Sequence, residues 1–285
     1  MWLKFLLSGL FLTSLLGAFV LAPQRTVPRS SEPPGKVREG KRLRLLTWNI
    51  GNGDLESETR AHTEDLAAVA KVIKESDPDA IALQELTGEG QLKLLLSRLE
   101  NHYRGFVCNR GGADRVDAVL IRESGVGDRK ISDVHFEDVS VGERFAAAAK
   151  FRLKGTLAQV VVVSAHADAF SASRRRVFIE DVVGWTRSQA SDIVFLSGDF
   201  NFEVSTRNKS NLFTDDAKHD SESYAYLLKY FGDLGRDAGT TSVNDRRIDY
   251  VFGALETVSL IHAKVLRGSA VGRMDHLPLL VEVGL

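Results

Sequence analysis

The run DIVFLSGDFN at residues 192 to 201 closes an apolar stretch with a glycine, then sets a carboxylate, Asp199, and an amide, Asn201, two residues apart. Polar residues end other strand-like runs in the same way. Asn49 follows LLTW, Glu85 follows AIALQ, His166 follows VVVVSA, Asp249 sits in RRIDYVF, and Asp275 and His276 stand together in MDHLP. A strand end keeps such a group out of the core and aims it at one rim, where several can converge. Carboxylate and amide oxygens suit a hard divalent cation, Mg2+ or Mn2+. Imidazoles beside them can donate to phosphate oxygens or move protons near neutral pH. The chemistry this set fits is hydrolysis of a phosphate ester. An anionic ester repels hydroxide, so a catalyst must place positive charge at the phosphoryl oxygens and a water in line with the leaving group. Taken alone, Asp199 and Asn201 would pass for a strand-ending turn.

The elements that must position these groups alternate in type from residue 45 onward. RLLTWNI is β-prone and ends in the turn signal GNG at Gly51 to Gly53. TEDLAAVAKVIKES places apolar residues at 66, 69, 70 and 73, one face of a helix, with Thr63 as its cap. SDPDAIALQEL turns at Pro78 into a buried strand, QLKLLLSRLE is helical, and DAVLIRE is a strand. RFAAAAKFRL and AQVVVVSAHAD read as neighbouring strands joined at KGT. SASRRRVFIEDVVGWTRSQA is a helix with Val177, Val182 and Trp185 facing inward and the arginines of SRRR on a solvated face. DIVFLSGDFN is a strand on which Asp199 and Asn201 share one side, by alternation, while Phe200 points into the core. SYAYLLKYFGD is a helix, and RRIDYVFGAL and PLLVEVGL are late strands. Strands with helices between them and hairpin-like neighbours predict mixed sheets covered by helices.

Taken in order, TWNIGNG, LQE, SAHAD, SGDFN, RIDYVF and DHLP resemble the motif series of the endonuclease/exonuclease/phosphatase superfamily, the pancreatic deoxyribonuclease-like fold, over residues 43 to 285. The resemblance implies an α/β (α+β) four-layered sandwich, two packed mixed β-sheets flanked by helices. It implies Glu85 as principal metal ligand, with Asn49 beside it and Asp275 helping to hold the ion. It assigns Asp199 to orient and deprotonate the attacking water, and Asn201 to hold a phosphate oxygen or the metal. His276 would contact the scissile phosphate, kept cationic by Asp249, and His166 would stabilise the transition state or protonate the leaving group. Asp117, opening the strand DAVLI, is the carboxylate expected to support His166. Two positions depart from the family pattern. Met274 stands where Ser is common, and Arg176 is followed at the third place by Ile179 rather than Gln.

Composition frames this reading. The chain has 285 residues, 44% of them hydrophobic, enough for a large core, and its one cysteine, Cys108, excludes both an internal disulfide and a thiolate zinc site. After MWLK comes FLLSGLFLTSLLGAFVLA, so residues 1–22 are expected to be a signal or membrane-anchor segment. Residues 23–42 form a basic, Pro-rich tether holding four of the six prolines, and 43–285 the catalytic domain. From residue 45 on there are 29 basic and 36 acidic residues, a body of about −7 that is a poor non-specific polyanion binder. The resulting expectation is a Mg2+- or Mn2+-dependent phosphodiesterase of the endonuclease kind, monomeric, acting on nucleic acid or a phospholipid headgroup. It would be membrane-anchored with its catalytic domain outside the cytoplasm, or secreted if the first segment is cleaved. A phospholipid or sphingomyelin phosphodiesterase, or an inositol-type phosphatase, is the alternative. A membrane-anchored, non-catalytic binding module is the second.

Overall fold

The computed structural model describes residues 41–51, 61–108, 115–123, 129–142, 144–154, 158–204, 217–268 and 274–285. Twelve strands and four helices follow one another along them: β1 (Arg42–Asn49), α1 (Ala61–Ser76), β2 (Ala80–Leu86), α2 (Glu89–Arg98), β3 (Tyr103–Val107), β4 (Val116–Arg122), β5 (Ile131–Val141), β6 (Arg144–Leu153), β7 (Gln159–His166), α3 (Ala172–Ser188), β8 (Ile193–Asp199), α4 (Ala217–Leu227), β9 (Gly232–Asp233), β10 (Asp249–Gly253), β11 (Ser259–Val265) and β12 (Leu279–Gly284). The strands make two six-stranded sheets, ordered β11-β12-β1-β2-β4-β3 and β5-β6-β7-β8-β10-β9. In each, one parallel pair lies at the centre, β1 with β2 and β7 with β8, and every other pairing is antiparallel. The α/β four-layered sandwich implied by the motifs is therefore present.

Strand alternation explains the layering. On β1, Leu43 and Leu45 face the opposite sheet, while Leu46 and Trp48 face the helices. The apolar face of α1, Leu66, Val69, Ala70 and Ile73, packs with Trp48, Ile81 and Leu83. Phe178, Ile179, Val182 and Val183 of α3 pack with Val161, Val163 and Leu196 on the outer face of the second sheet. Between the sheets lie Leu45, Val119, Phe151, Val162, Phe195 and Val251, buried and apolar. Phe200 is buried as expected, edge-on to Phe252 at 5.3 Å between centroids.

Several local expectations need correction. Val177 is 54% exposed, and the inward positions of α3 are Phe178 and Ile179 with Val182. Arg175, read as part of a solvated face, has no exposed surface; its guanidinium bonds Asp220 on α4 at 2.7 Å and the carbonyl oxygen of Asp168 at 3.1 Å. Thr63 lies inside α1 rather than capping it. The helix expected at SYAYLLKYFGD starts earlier, at Ala217, and gives way at Leu227 to a turn and β9. The GNG turn beyond Gly51, most of KGT, the segment 1–22 and nearly all of the tether fall outside the described residues. Among the described residues, no helix is long and apolar enough to cross a membrane.

Candidate active site

The inter-sheet layer changes character along its length. Residues i−4 and i−6 to Asn49, Leu45 and Leu43, are core, and Asn49 continues their side of β1 at the strand's C-terminal end. His166 continues the line of Val160 and Val162 on β7, and Asp199 that of Ile193 and Phe195 on β8. β7 and β8 are parallel and in register, so His166 stands directly beside Asp199, and antiparallel β10 brings Asp249 beside Asp199 from the other side. The final loop sets His276 against Ser242 in an isolated bridge, while the Trp48 indole donates to the His276 carbonyl oxygen at 3.0 Å. Strands from both sheets thus deliver polar groups to one end of the sandwich.

Two of these groups reach the rim only through irregular backbone. On β2 one extra residue falls between Leu83 and Leu86 relative to β4, a bulge. Glu85 inside it has φ of 62°, a left-handed conformation that turns its carboxylate from the helix side to the rim. Gly51 leaves room for it, since a Cβ there would overlap the Glu85 carboxylate. Asn201 is likewise left-handed, with φ of 51°, and lies beyond the end of β8. The expectation that strand alternation aligns Asp199 with Asn201 is therefore corrected. Instead the Asn201 backbone amide donates to Asp199 Oδ1 at 2.9 Å, and its side-chain amide donates to the Ala167 carbonyl oxygen at 3.1 Å.

The distances are short throughout. Asn49 Nδ2 donates to Glu85 Oε1 and to Asp199 Oδ2, both at 3.0 Å, while its Oδ1 accepts from the Gly51 amide. Asp199 Oδ2 also lies 3.6 Å from His166 Nε2 and 3.7 Å from His276 Nε2, and Glu85 Oε1 lies 3.8 Å from His166 Nε2. His276 Nδ1 is 2.9 Å from Asp249 Oδ2. The two imidazoles are driven apart in acidity. Burial opposes charge on His276, but Asp249 and Asp199 outweigh it and push its pKa up to about 10. Burial dominates at His166, with Arg144 and His276 adding to it against Asp199, and lowers its pKa to about 4. Asp199 is raised above the ordinary carboxylate value, by burial first and then by Asp249, with the histidines opposing. A carboxylate flanked by a neutral and a cationic imidazole results.

Asn49, Glu85, His166, Asp199, Asn201, Asp249 and His276 are thus brought together. Asp275 is half-buried, raises the pKa of His276 through its charge, and gives its carbonyl oxygen to the Val243 amide. Asp117 is buried against the His166 backbone amide rather than its ring, and burial raises its pKa well above the usual range. Two arginines had no signal in the sequence beyond their charge. Arg115 ion-pairs with Glu85, and Arg144 donates to the His166 carbonyl oxygen at 3.0 Å and to Asp168 at 3.1 Å.

The profile of the Endonuclease/Exonuclease/phosphatase family matches residues 46–271. The chain belongs to this family. Solved structures agree on the fold. The endonuclease/exonuclease/phosphatase of Bacteroides vulgatus superposes with a TM-score of 0.68 at 19% identity, over 86% of this chain and 99% of that one. A humanized TDP2 of D. rerio does so at 0.66 and 15%, over 86% and 99%. A mannosyl-6-phosphatase of Bacteroides thetaiotaomicron does so at 0.64 and 18%, over 85% and 100%. No curated protein sequence matches the chain.

Family membership makes the fit to a divalent ion a direct question. Asp199, Asp249 and His276 each offer one ligand atom, all within 4.8 Å of one another, a group that could hold a metal. Asp275 is outside that group. The donors are oxygen and imidazole, as a phosphoesterase of this family needs, and the clustered carboxylates supply the negative field. Within the group, Asp249 already bonds His276, whose proton would compete with an ion at the ring. Glu85 and Asp199, joined by Asn49, present further carboxylate oxygens, Glu85 paired with Arg115 and Asp199 beside both imidazoles.

Proposed function

We propose that the protein is a Mg2+- or Mn2+-dependent phosphodiesterase of the endonuclease kind. The observation that carries this is the Asp199 carboxylate, its pKa raised, set between two imidazoles of which Asp249 holds one cationic. Glu85, with Asn49 alongside, would hold the divalent ion, which would supply positive charge to the phosphoryl oxygens when bound. His276, protonated and braced by Asp249, donates to a phosphate oxygen and offsets the charge that builds there. Asp199 takes the proton of the attacking water, the raised pKa bringing its basicity nearer to working pH. His166, neutral in the unliganded site, offers a ring N–H to the phosphate. It protonates the leaving group once the bound anion favours its charged form. Asn201 sets the Asp199 carboxylate through its backbone amide.

Hydrolysis of bis-p-nitrophenyl phosphate by the full chain with Mg2+ or Mn2+ tests the reaction. Turnover lost to chelator, and cut about a thousandfold in Asp199→Ala, is expected. No turnover with any divalent ion would leave the binding-module reading standing instead. Supercoiled plasmid and labelled sphingomyelin, incubated side by side, test the substrate. The apolar segment at residues 5–22 suits a lipid headgroup and the acidic body argues against tight duplex binding, so lipid cleaved with plasmid intact would replace the nuclease reading. The same apolar segment supports placing the catalytic domain at a membrane outside the cytoplasm.

A further inference from the structure

Immediately beneath the rim the two sheets are joined by polar side chains. Gln84 Nε2 on β2 donates to Ser164 Oγ on β7 at 2.9 Å, and Ser164 Oγ donates to the Leu83 carbonyl oxygen at 2.9 Å. Neither residue has exposed surface. Gln84 directly precedes Glu85, and Ser164 lies two residues before His166 on the same face of its strand. Thr47 and Ser197 lie two residues before Asn49 and Asp199, Ser197 pairs with Ser164 in register, and Gln84 pairs with Asn49. Thr47 Oγ1, Ser197 Oγ and Gln84 Oε1 are buried with no hydrogen-bond partner among the described residues. One step farther from the rim the same faces carry Leu45, Val162 and Phe195, so apolar residues fill this space elsewhere. A buried polar layer is less stabilising than such packing unless its bonds are all made, and these three atoms find no partner among the described residues. Its compensation must lie in what it positions.

We infer that Gln84 and Ser164 are positioning residues for the phosphoesterase site. Their clasp ties the bulge that aims Glu85 to the strand that carries His166, and so sets the 3.8 Å gap between those groups. The inference rests on the function proposed above. It acts through geometry: freeing the two sheets by a few tenths of an ångström would shift Glu85, which holds the ion, relative to His166 and Asp199.

The test is Gln84→Met, Ser164→Ala and Ser164→Thr in the full chain, with Mn2+ affinity read by calorimetric titration alongside kcat and KM for bis-p-nitrophenyl phosphate. Gln84→Met and Ser164→Ala are expected to weaken Mn2+ binding about tenfold and lower kcat similarly. KM should stay within about twofold, and Ser164→Thr should recover both losses by keeping the hydroxyl. Variants that merely melt earlier, with Mn2+ affinity and kcat unchanged, would show the layer to be structural and overturn the inference, as would a wild type that binds no Mn2+. A wild type that binds Mn2+ but hydrolyses nothing would sink the proposed function alone, because the titrations still decide the clasp. Should Gln84→Met fail to fold, the two Ser164 variants decide the question by the same two readouts.

Discussion

Two histidines a few ångströms from one carboxylate end in opposite charge states because Asp249 braces the far nitrogen of His276, while burial, with Arg144, keeps His166 neutral. The sign for stability follows. His276 takes up a proton on folding, since its pKa of about 10 exceeds the unfolded value near 6.5. Its contribution is complete below about pH 6.5 and is lost as pH rises towards 10. His166, lowered to about 4, contributes fully above about pH 6.5 and loses that contribution as pH falls towards 4. In metal-free protein at pH 7, NMR titration should find His276 cationic and His166 neutral; a His276 ring that loses its proton below pH 7 would contradict the assignment. Asp249→Asn should bring the His276 pKa down by at least about a unit and slow phosphodiester hydrolysis about a hundredfold, measured as kcat. At this scale the sequence was informative where a polar residue ended an apolar run, as with Asn49, Glu85, His166 and Asp199. Arg115 and Arg144 were illegible because a lone arginine at a strand start looks like any surface charge. Arg175 was misread for the same reason, its burial depending on Asp220, 45 residues away.

Elements explain both what was readable and what was not. Strands packed on two sides, such as VVVV in β7 and DAVLI in β4, announce themselves as apolar runs, and so do the helices that alternate with them. β5, reading ISDVHFEDVSV, and β11, largely exposed along its length, lie at sheet edges. Such strands keep no unbroken apolar signal, and β3 and the two-residue β9 are edges as well. The bulge that aims Glu85 also leaves no trace in residue type, because a glutamate at positive φ is chosen by its surroundings. Gly198 is the position where element geometry is least forgiving. It has φ of 146°, and a Cβ there would overlap the Ala165 carbonyl oxygen on the neighbouring strand. Gly198→Ala should therefore cost about 3 kcal/mol or more and lower Tm by roughly 6–12 °C in calorimetry. An unchanged Tm would mean that β7 and β8 are not packed this closely.

Across the molecule, one polar cross-brace ties the helices of the second sheet to the site. Arg175 on α3 bonds Asp220 on α4 and also the carbonyl oxygen of Asp168, two residues past His166. Removing the carboxylate with Asp220→Ala takes this anionic partner from a guanidinium held inside the protein, at about 3–5 kcal/mol, so a Tm fall of roughly 10 °C or more is expected. A shift under about 2 °C would mean the pair is solvated. The order in which strands enter the first sheet has a further consequence. β1, which carries Asn49, lies between β2 and β12, and Leu285 donates to the Lys41 carbonyl oxygen at 2.9 Å, so the body closes where it opened. During synthesis β1 keeps one open edge until β12 leaves the ribosome, and Asp249 and His276 also arrive late. Chains cut before β12 should be prone to clump through that open edge, and chains cut before Asp249 should be inert as well.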